Sequence, residues 1–319
     1  MLIIGNGPSA RMLFDHGVQK LPPYLHTFGM GAAYRYFSEI NWWPTYYALA
    51  DRKVVYSHRT ELAAIVEDPE ITTRAFFFAW PISSHERMHL VRHHSTGDTC
   101  LRLALEMGYK RIYLIGIEGR YVEELPESRS ATPEELSEMG FDVLNLAETE
   151  KIRVIEKTPS RNPNYFFDTY QRKGDVYSLP NASRHRQNWS KIHQYAHACG
   201  ARISNLSEES LVSDFPKQSF NEFLHEVSSP SFISAVSQQR DDDRPSTHLA
   251  GGSSTPQMFA REDHAHVNET LVLSEFLLGS GLQKGQMIDV GAHHGSSFLR
   301  LLRAGWSVLA IEPDRANRE

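Results

Sequence analysis

The sequence has few cysteines, no excess of positive charge and no long apolar run. Two cysteines, Cys100 and Cys199, occur among 319 residues, which predicts buried thiols rather than a disulfide framework or a zinc site. The formal net charge of -6 gives no general attraction to nucleic acid or to an anionic membrane. No apolar run approaches the roughly 20 residues that span a bilayer, and residues 1–5 lack the basic start of a signal peptide. These absences predict a cytoplasmic protein, with the inner face of the membrane left open as its place there.

Short apolar runs that end in turn residues recur along the chain. They predict buried strands at residues 2–4, 46–50, 75–79, 111–117 and 202–206. Apolar residues at helical spacing predict helices at residues 10–15, 96–107 and 189–198. Alternation of strands with helices is typical of a parallel sheet that is covered by helices. We therefore predict an α/β fold with a Rossmann-like, mostly parallel sheet.

Composition divides the chain into three parts. Residues 118–185 are polar and aromatic and contain five prolines, so we predict an irregular, mobile lid over a binding site. Residues 227–258 are rich in Ser, Gln, Asp, Pro and Gly, which indicates a flexible linker. The predicted organisation is a first domain at 1–226, this linker, and a second, incomplete unit at 259–319.

Two glycine-bearing turns flank the predicted sheet. The first follows the first strand and consists of Gly5, Asn6, Gly7, Pro8 and Ser9. The second is the start of the 96–107 helix, at Ser95, Thr96 and Gly97. Glycines after a parallel strand let the backbone close on a phosphate, as does the start of a helix. We expect both turns to face one cleft at the carboxyl edge of the sheet.

A second strand–turn–helix pattern occupies the last part of the chain. Residues 287–290 run into a glycine-rich turn, and residues 308–314 form a strand that ends in acidic residues. The string resembles the opening motif of FkbM-type S-adenosylmethionine-dependent methyltransferases. That resemblance implies that Asp289, Gly291 and Glu312 hold S-adenosylmethionine. We expect the unit to be truncated and too short to transfer a methyl group.

The first part of the chain resembles a family of nucleotide-sugar enzymes. Its two glycine-bearing turns, with residues 105–118, are similar to motifs of bacterial lipooligosaccharide sialyltransferases that use CMP-sialic acid. They are also similar to a related group that includes flagellin-glycosylating motility accessory factors and an archaeal hydroxymethylpterin diphosphokinase. The resemblance runs over about residues 1–216 and implies a GT-A-like sialyltransferase variant of the Rossmann-like sheet.

The resemblance implies roles for individual residues. The two turns would make the nucleotide pocket, together with Gly31 and Asp51, which stand where the family has asparagines. His185, after the lid, would be the general base, because an imidazole accepts an alcohol proton near neutrality. His93, before the second turn, is the alternative base. The tyrosines that stabilise the departing phosphate would come from the lid, as Tyr165 and Tyr170, with Tyr121 and Tyr177 as alternatives.

The function that follows is a metal-independent glycosyltransferase. It would move a sugar, sialic acid-like sugars included, from a CMP-linked donor to a cell-surface glycan, with cations from Arg161, Arg172 and Lys173. We predict no metal and no cofactor for this domain, and no partner other than donor and acceptor, with an oligomer left open. Two alternatives remain. One is a pterin-type diphosphokinase that uses ATP and Mg²⁺, with Asp51 as the candidate ligand, and the other is a non-catalytic module attached to the methyltransferase.

Overall fold

The computed structural model describes residues 1–91, 95–122, 124–139 and 151–233, together with the backbone of two strands, Gln286–Val290 and Ser307–Ile311. The chain divides into two compact units, Met1–Pro245 and Ser246–Glu319. No helix among the described residues has the length and apolar character needed to cross a membrane.

The first unit is built on a seven-stranded sheet in which every pair of neighbouring strands is parallel. Its strands are β1 (Leu2–Ile4), β2 (Thr27–Met30), β3 (Tyr46–Leu49), β4 (Ala75–Phe78), β5 (Met88–Leu90), β6 (Arg111–Ile115) and β10 (Arg202–Asn205). Their order in the sheet is β10-β6-β1-β2-β3-β4-β5. The chain therefore winds outward from β1 in one direction and then returns to add β6 on its other side, which creates a topological switch point between β1 and β6.

The central strands β1 and β6 are buried on both faces of the sheet, which explains their nearly continuous apolar runs. In β1, Leu2 and Ile4 contribute to one core cluster, and Ile3 contributes to the cluster on the opposite face. Strand β6 alternates in the same way, with Tyr113 on one side and Leu114 on the other. The predicted α/β fold with a mostly parallel sheet is confirmed at this level.

Helices cover both faces of the sheet. They are α1 (Arg11–His16), α2 (Tyr34–Glu39), α3 (Arg52–Ser57), α4 (Arg59–Glu67), α5 (Thr96–Glu106), α7 (Ala182–Ala198) and α8 (Phe220–Val227), whereas α6 (Pro133–Glu138) belongs to a separate small core. The predicted start of α7 at residue 189 is wrong, because the Asn181 side chain caps the helix by accepting a hydrogen bond from Arg184 N at 2.8 Å. Its first turns are polar and leave no apolar periodicity to detect, whereas Trp189, Ile192 and Ala196 are buried.

The segment predicted as an irregular lid contains a second sheet. Strands β7 (Ser128–Ser130), β8 (Ile152–Ile155) and β9 (Val176–Ser178) pair antiparallel. With α6 they enclose a small core of their own, made by Leu136, Met139, Ile152 and Val176. The expectation of irregular structure is therefore wrong for the described part of residues 118–185. Short, half-buried strands that pair across a long connection leave little signal in the sequence.

Two parallel strands are described in the second unit. These are β11 (Gln286–Val290) and β12 (Ser307–Ile311), in a register that pairs Asp289 with Ala310. Two of the residues assigned to S-adenosylmethionine, Gly291 and Glu312, lie outside the described residues, as does the alternative base His93. Val227 and Phe232, where the linker was predicted to begin, are buried in the core of the first unit.

Candidate functional site

A cleft of about 500 Å³ lies at the carboxyl edge of the parallel sheet. Its walls are formed by the segments that follow β1, β2, β3 and β6, by the first turns of α5 and α7, and by β9. In open parallel sheets this edge, at the switch point of the strand order, is where ligands bind. The cleft brings together ten of the residues predicted for the site, which are Asn6, Gly7, Gly31, Asp51, Ser95, Thr96, Gly97, Tyr165, Tyr170 and His185.

Gly5, Pro8 and Ser9 do not line the cleft. Gly5 serves a close backbone approach, because a Cβ there would lie 2.3 Å from the carbonyl oxygen of Gly116. The Ser9 hydroxyl lies 2.6 Å from the Ser207 hydroxyl and accepts a hydrogen bond from Gly116 N at 3.0 Å. Gly5 and Ser9 connect the β1 turn to the loop after β6, and the residues of this turn that line the cleft are Asn6 and Gly7.

The start of α5 forms one wall of the cleft. Thr96 Oγ1 accepts a hydrogen bond from Ala50 N at 3.1 Å, which fixes the helix to the end of β3. Gly97 allows α5 to approach α7, since a Cβ there would lie 2.7 Å from the Trp189 ring. The first N–H groups of a helix have no partners within the helix, so this wall offers donors to an anion.

Asp51 is the N-cap of α3. Its Oδ1 accepts hydrogen bonds from Lys53 N at 2.9 Å and from Val54 N at 3.4 Å. The carboxylate therefore has a structural role at a position where the resemblance implies a contact to the ligand. Its second oxygen remains the atom with which it could accept a ribose or sugar hydroxyl.

The two predicted tyrosines differ in what their hydroxyls contact. Their rings stack with centroids 3.6 Å apart, and burial raises the pKa of both phenols, so both are protonated donors. Tyr170 Oη lies 2.9 Å from Asn6 Nδ2 and accepts a hydrogen bond from Ala32 N at 2.9 Å. The Tyr165 hydroxyl makes no hydrogen bond within the described part of the chain, so Tyr165 is the better placed of the two to contact a ligand.

His185 lies in the first turn of α7, with its ring centroid 5.3 Å from that of Tyr121. Burial lowers the pKa of His185 below its ordinary value of 6.5, against the opposing effect of the Asp98 and Asp51 carboxylates. The imidazole is therefore neutral at pH 7 and able to accept a proton. Beside it, burial and the Glu118 carboxylate raise the pKa of Tyr121 to about 12, which keeps that phenol protonated.

The cations of the cleft are different from those expected. Arg161, Arg172 and Lys173 do not line it. Four other cations do, namely Arg52, Lys53, Arg120 and Arg184. They are separated in sequence and meet at the carboxyl edge only because α3, the loop after β6 and α7 converge there, which composition alone does not indicate.

A buried ion-pair network, which was not predicted, forms part of the cleft wall through His58 and Asp175. Arg35 donates from Nη1 to Asp175 Oδ2 at 2.5 Å and from Nη2 to Asp175 Oδ1 at 3.0 Å. His58 Nε2 lies 3.1 Å from Asp175 Oδ1, although its direction is poor for a hydrogen bond. Burial opposes ionisation of Asp175, but the close approach of His58 and the hydrogen bonds from Arg35 outweigh it and lower the pKa of Asp175 from 3.8 to about 2. Asp175 is therefore a carboxylate at every physiological pH.

Within the described residues, no group of three or more His, Cys, Asp or Glu side chains is placed to hold a metal ion. Cys100 and Cys199 are free thiols, the first buried in the core and the second half-buried at the end of α7.

No protein-family model matches this chain, and neither does any curated protein or any solved structure. The function of the cleft therefore has to follow from its own residues.

Proposed function

We propose that the first unit transfers a sugar from a CMP-linked donor to a hydroxyl group of a cell-surface glycan, without a metal. The observation that carries this proposal is the position of His185. A neutral imidazole lies in the same cleft as the Asn6–Gly7 turn and the first turn of α5, at the edge of a parallel sheet where nucleotides bind. A base beside a phosphate-binding edge is what transfer to an alcohol requires.

Groups of the cleft can accept the proton and stabilise the leaving group of this transfer reaction. His185 takes the proton of the acceptor hydroxyl as its oxygen forms a bond to the anomeric carbon of the donor sugar. The bond from that carbon to the phosphate oxygen breaks, and CMP leaves with the electron pair. Arg52, Lys53, Arg120 and Arg184 line the cleft and would stabilise the negative charge on the departing phosphate. The protonated Tyr165 phenol would donate a hydrogen bond to the same group.

The other two functions predict different features of the cleft. A pterin-type diphosphokinase needs carboxylates that are free to bind Mg²⁺. Among the described residues, three carboxylates line the cleft, but each is at least half occupied: Asp51 Oδ1 caps α3, Glu118 Oε1 accepts a hydrogen bond from Ser9 N at 2.8 Å, and both oxygens of Asp175 pair with Arg35. A non-catalytic module needs no cavity at this edge, whereas about 500 Å³ is open here. Both observations favour the transferase. Binding of S-adenosylmethionine by Asp289, Gly291 and Glu312 is a separate proposal for the second unit.

Nucleotide binding distinguishes the first two functions. We expect CMP to raise the melting temperature of the full chain, because a ligand at a hundred times its Kd stabilises the folded state by about 2.7 kcal/mol. ATP with Mg²⁺ should have little effect. Stabilisation by ATP with Mg²⁺ and none by CMP or a CMP-sugar would overturn the transferase and support the kinase.

Two arginine variants test whether the nucleotide binds in the cleft. Arg184 lines the cleft and Arg161 does not, although both are exposed. Arg184→Gln should weaken CMP binding by about two- to fivefold, the range of an exposed charge interaction, and Arg161→Gln should leave it unchanged. Equal effects of the two substitutions would contradict this placement of the phosphate.

A further inference from the structure

Three distant parts of the chain meet at the Tyr170 hydroxyl. Tyr170 Oη lies 2.9 Å from Asn6 Nδ2, in the turn after β1, and 2.9 Å from Ala32 N, in the turn after β2. Gly31 provides the space for this contact, with φ at +69°, because a Cβ at this position would lie 2.3 Å from both Asn6 Nδ2 and Tyr170 Oη. The resemblance implies an asparagine at position 31. Gly31 instead leaves room there for the Tyr170 hydroxyl.

Tyr170 is itself held by a buried ion pair. Arg35 Nη1 donates to the carbonyl oxygen of Tyr170 at 3.0 Å and to Asp175 at 2.5 Å. The side chains of Arg35 and Asp175 are 3% and 10% exposed, so neither exchanges its partner for water easily. The backbone of Tyr170 is therefore held firmly at the wall of the cleft.

The Asn6 amide lies in the wall of the cleft and has one atom without a partner among the described residues. Asn6 lines the cleft, its Nδ2 meets Tyr170, and its Oδ1 is buried with no hydrogen-bond partner among the described residues. Buried polar atoms are nearly always paired, so an oxygen in this position requires a donor from a ligand or water. Because either end of the amide can pair with the tyrosine hydroxyl, that hydroxyl fixes the plane of the amide in both orientations.

We propose that Asp175, Arg35 and Tyr170 are positioning residues that fix the Asn6 side chain for a hydrogen bond to the ligand of the cleft. The inference rests on the proposed function only in taking a nucleotide as that ligand. Tyr170 then acts through Asn6 rather than on the departing phosphate. Since Tyr170 and Asp175 belong to the segment that carries β8 and β9, the order of that segment becomes a condition for binding at the β1 turn.

The contact can be tested without any ligand. In the full chain labelled with ¹⁵N, we expect the Asn6 side-chain amide to be protected from exchange with solvent, and Tyr170→Phe to move its resonances and increase its exchange by about tenfold or more. Arg35→Lys, which keeps the charge but loses the two-pronged pairing, should shift the same resonances. Tyr165→Phe is the matched control and should leave the exchange unchanged. An Asn6 amide that is indifferent to Tyr170→Phe would overturn the inference whatever the cleft binds.

A double-mutant cycle tests the consequence for binding. Tyr170→Phe should weaken CMP binding by about three- to tenfold, the range of one hydrogen bond, and should add nothing further in the Asn6→Ala background. Tyr165→Phe should remain additive with Asn6→Ala, since it acts on the ligand directly. Additive effects of Tyr170→Phe and Asn6→Ala would show that Tyr170 does not act through Asn6. Failure of the native chain to bind CMP would contradict the proposed donor, while the exchange experiment would still decide the inference.

Discussion

The Asp175→Asn substitution should make the free energy of unfolding of the first unit less dependent on pH in the acid range. The pKa of Asp175 is about 2 in the folded chain, below its ordinary value of 3.8. The carboxylate therefore contributes its full stability above pH 3.8 and loses it as the pH falls toward 2. This difference in pKa corresponds to about 2–3 kcal/mol. Breaking a buried ion pair costs about 3–5 kcal/mol in total, so Asp175→Asn should destabilise the protein by that amount at pH 7.

The difference between the native chain and the variant should shrink as the pH falls. About 1 kcal/mol of the titrating part is lost by pH 3, because the unfolded chain then binds a proton that the folded chain still excludes. Urea unfolding at pH 7, 5, 4 and 3 measures this, followed by tryptophan fluorescence, since four of the five tryptophans lie in the first unit. Asp15→Asn, at an exposed carboxylate, is the control. A difference for Asp175→Asn that stays constant from pH 7 to pH 3 would refute the reasoning.

Two further predictions concern the cleft. His185→Ala should leave CMP affinity nearly intact and lower turnover by about 10²–10⁴-fold. In the native chain the rate should fall on the acid side with a midpoint below about 6.5, because burial lowers the pKa of this imidazole. Near-normal turnover would show that the base lies elsewhere, and loss of donor binding would make His185 a nucleotide contact. Saturating CMP should slow backbone hydrogen exchange across residues 151–180, which carry Tyr165 and Tyr170, and equal exchange with and without CMP would contradict closure of this segment on the ligand.

The sheet was predictable where its strands are fully buried. Residues 2–4 and 112–115 are continuous apolar runs because β1 and β6 are covered on both faces, and such runs are apparent in the sequence. Strands of three half-buried residues, such as β5 and β7, give no comparable pattern. The antiparallel sheet depends instead on pairing across a connection, as between Arg129 and Val154, which no local periodicity records.

The site was predictable in outline and not in its contacts. Glycines and polar residues after strands indicated the carboxyl edge, and Asn6, Thr96 and His185 do line one cleft there. The roles within the cleft depend on partners far along the chain. Arg35 meets Asp175 across 140 residues, and the Tyr170 hydroxyl meets Asn6 across 164. The sequence predicts Tyr170 as a group for the departing phosphate, and only its contacts to Asn6 and Ala32 favour the positioning role that we propose.

The strand order has a consequence for how the chain acquires its cleft during folding. Strands β1 to β5 are neighbours in the sheet in the same order as in the sequence, so their pairing closes comparatively short loops. Pairing of β6 with β1 joins Leu2 to Tyr113 and closes a much longer loop, whose entropic cost must be met before its contacts form. The cleft needs residues on both sides of this junction, Asn6 after β1 and Glu118 after β6. We therefore expect the fluorescence of Trp42, Trp43 and Trp80 to reach its native value in a refolding chain before the chain can bind a nucleotide. A nucleotide should slow the unfolding of the native chain and should not accelerate the first phase of refolding.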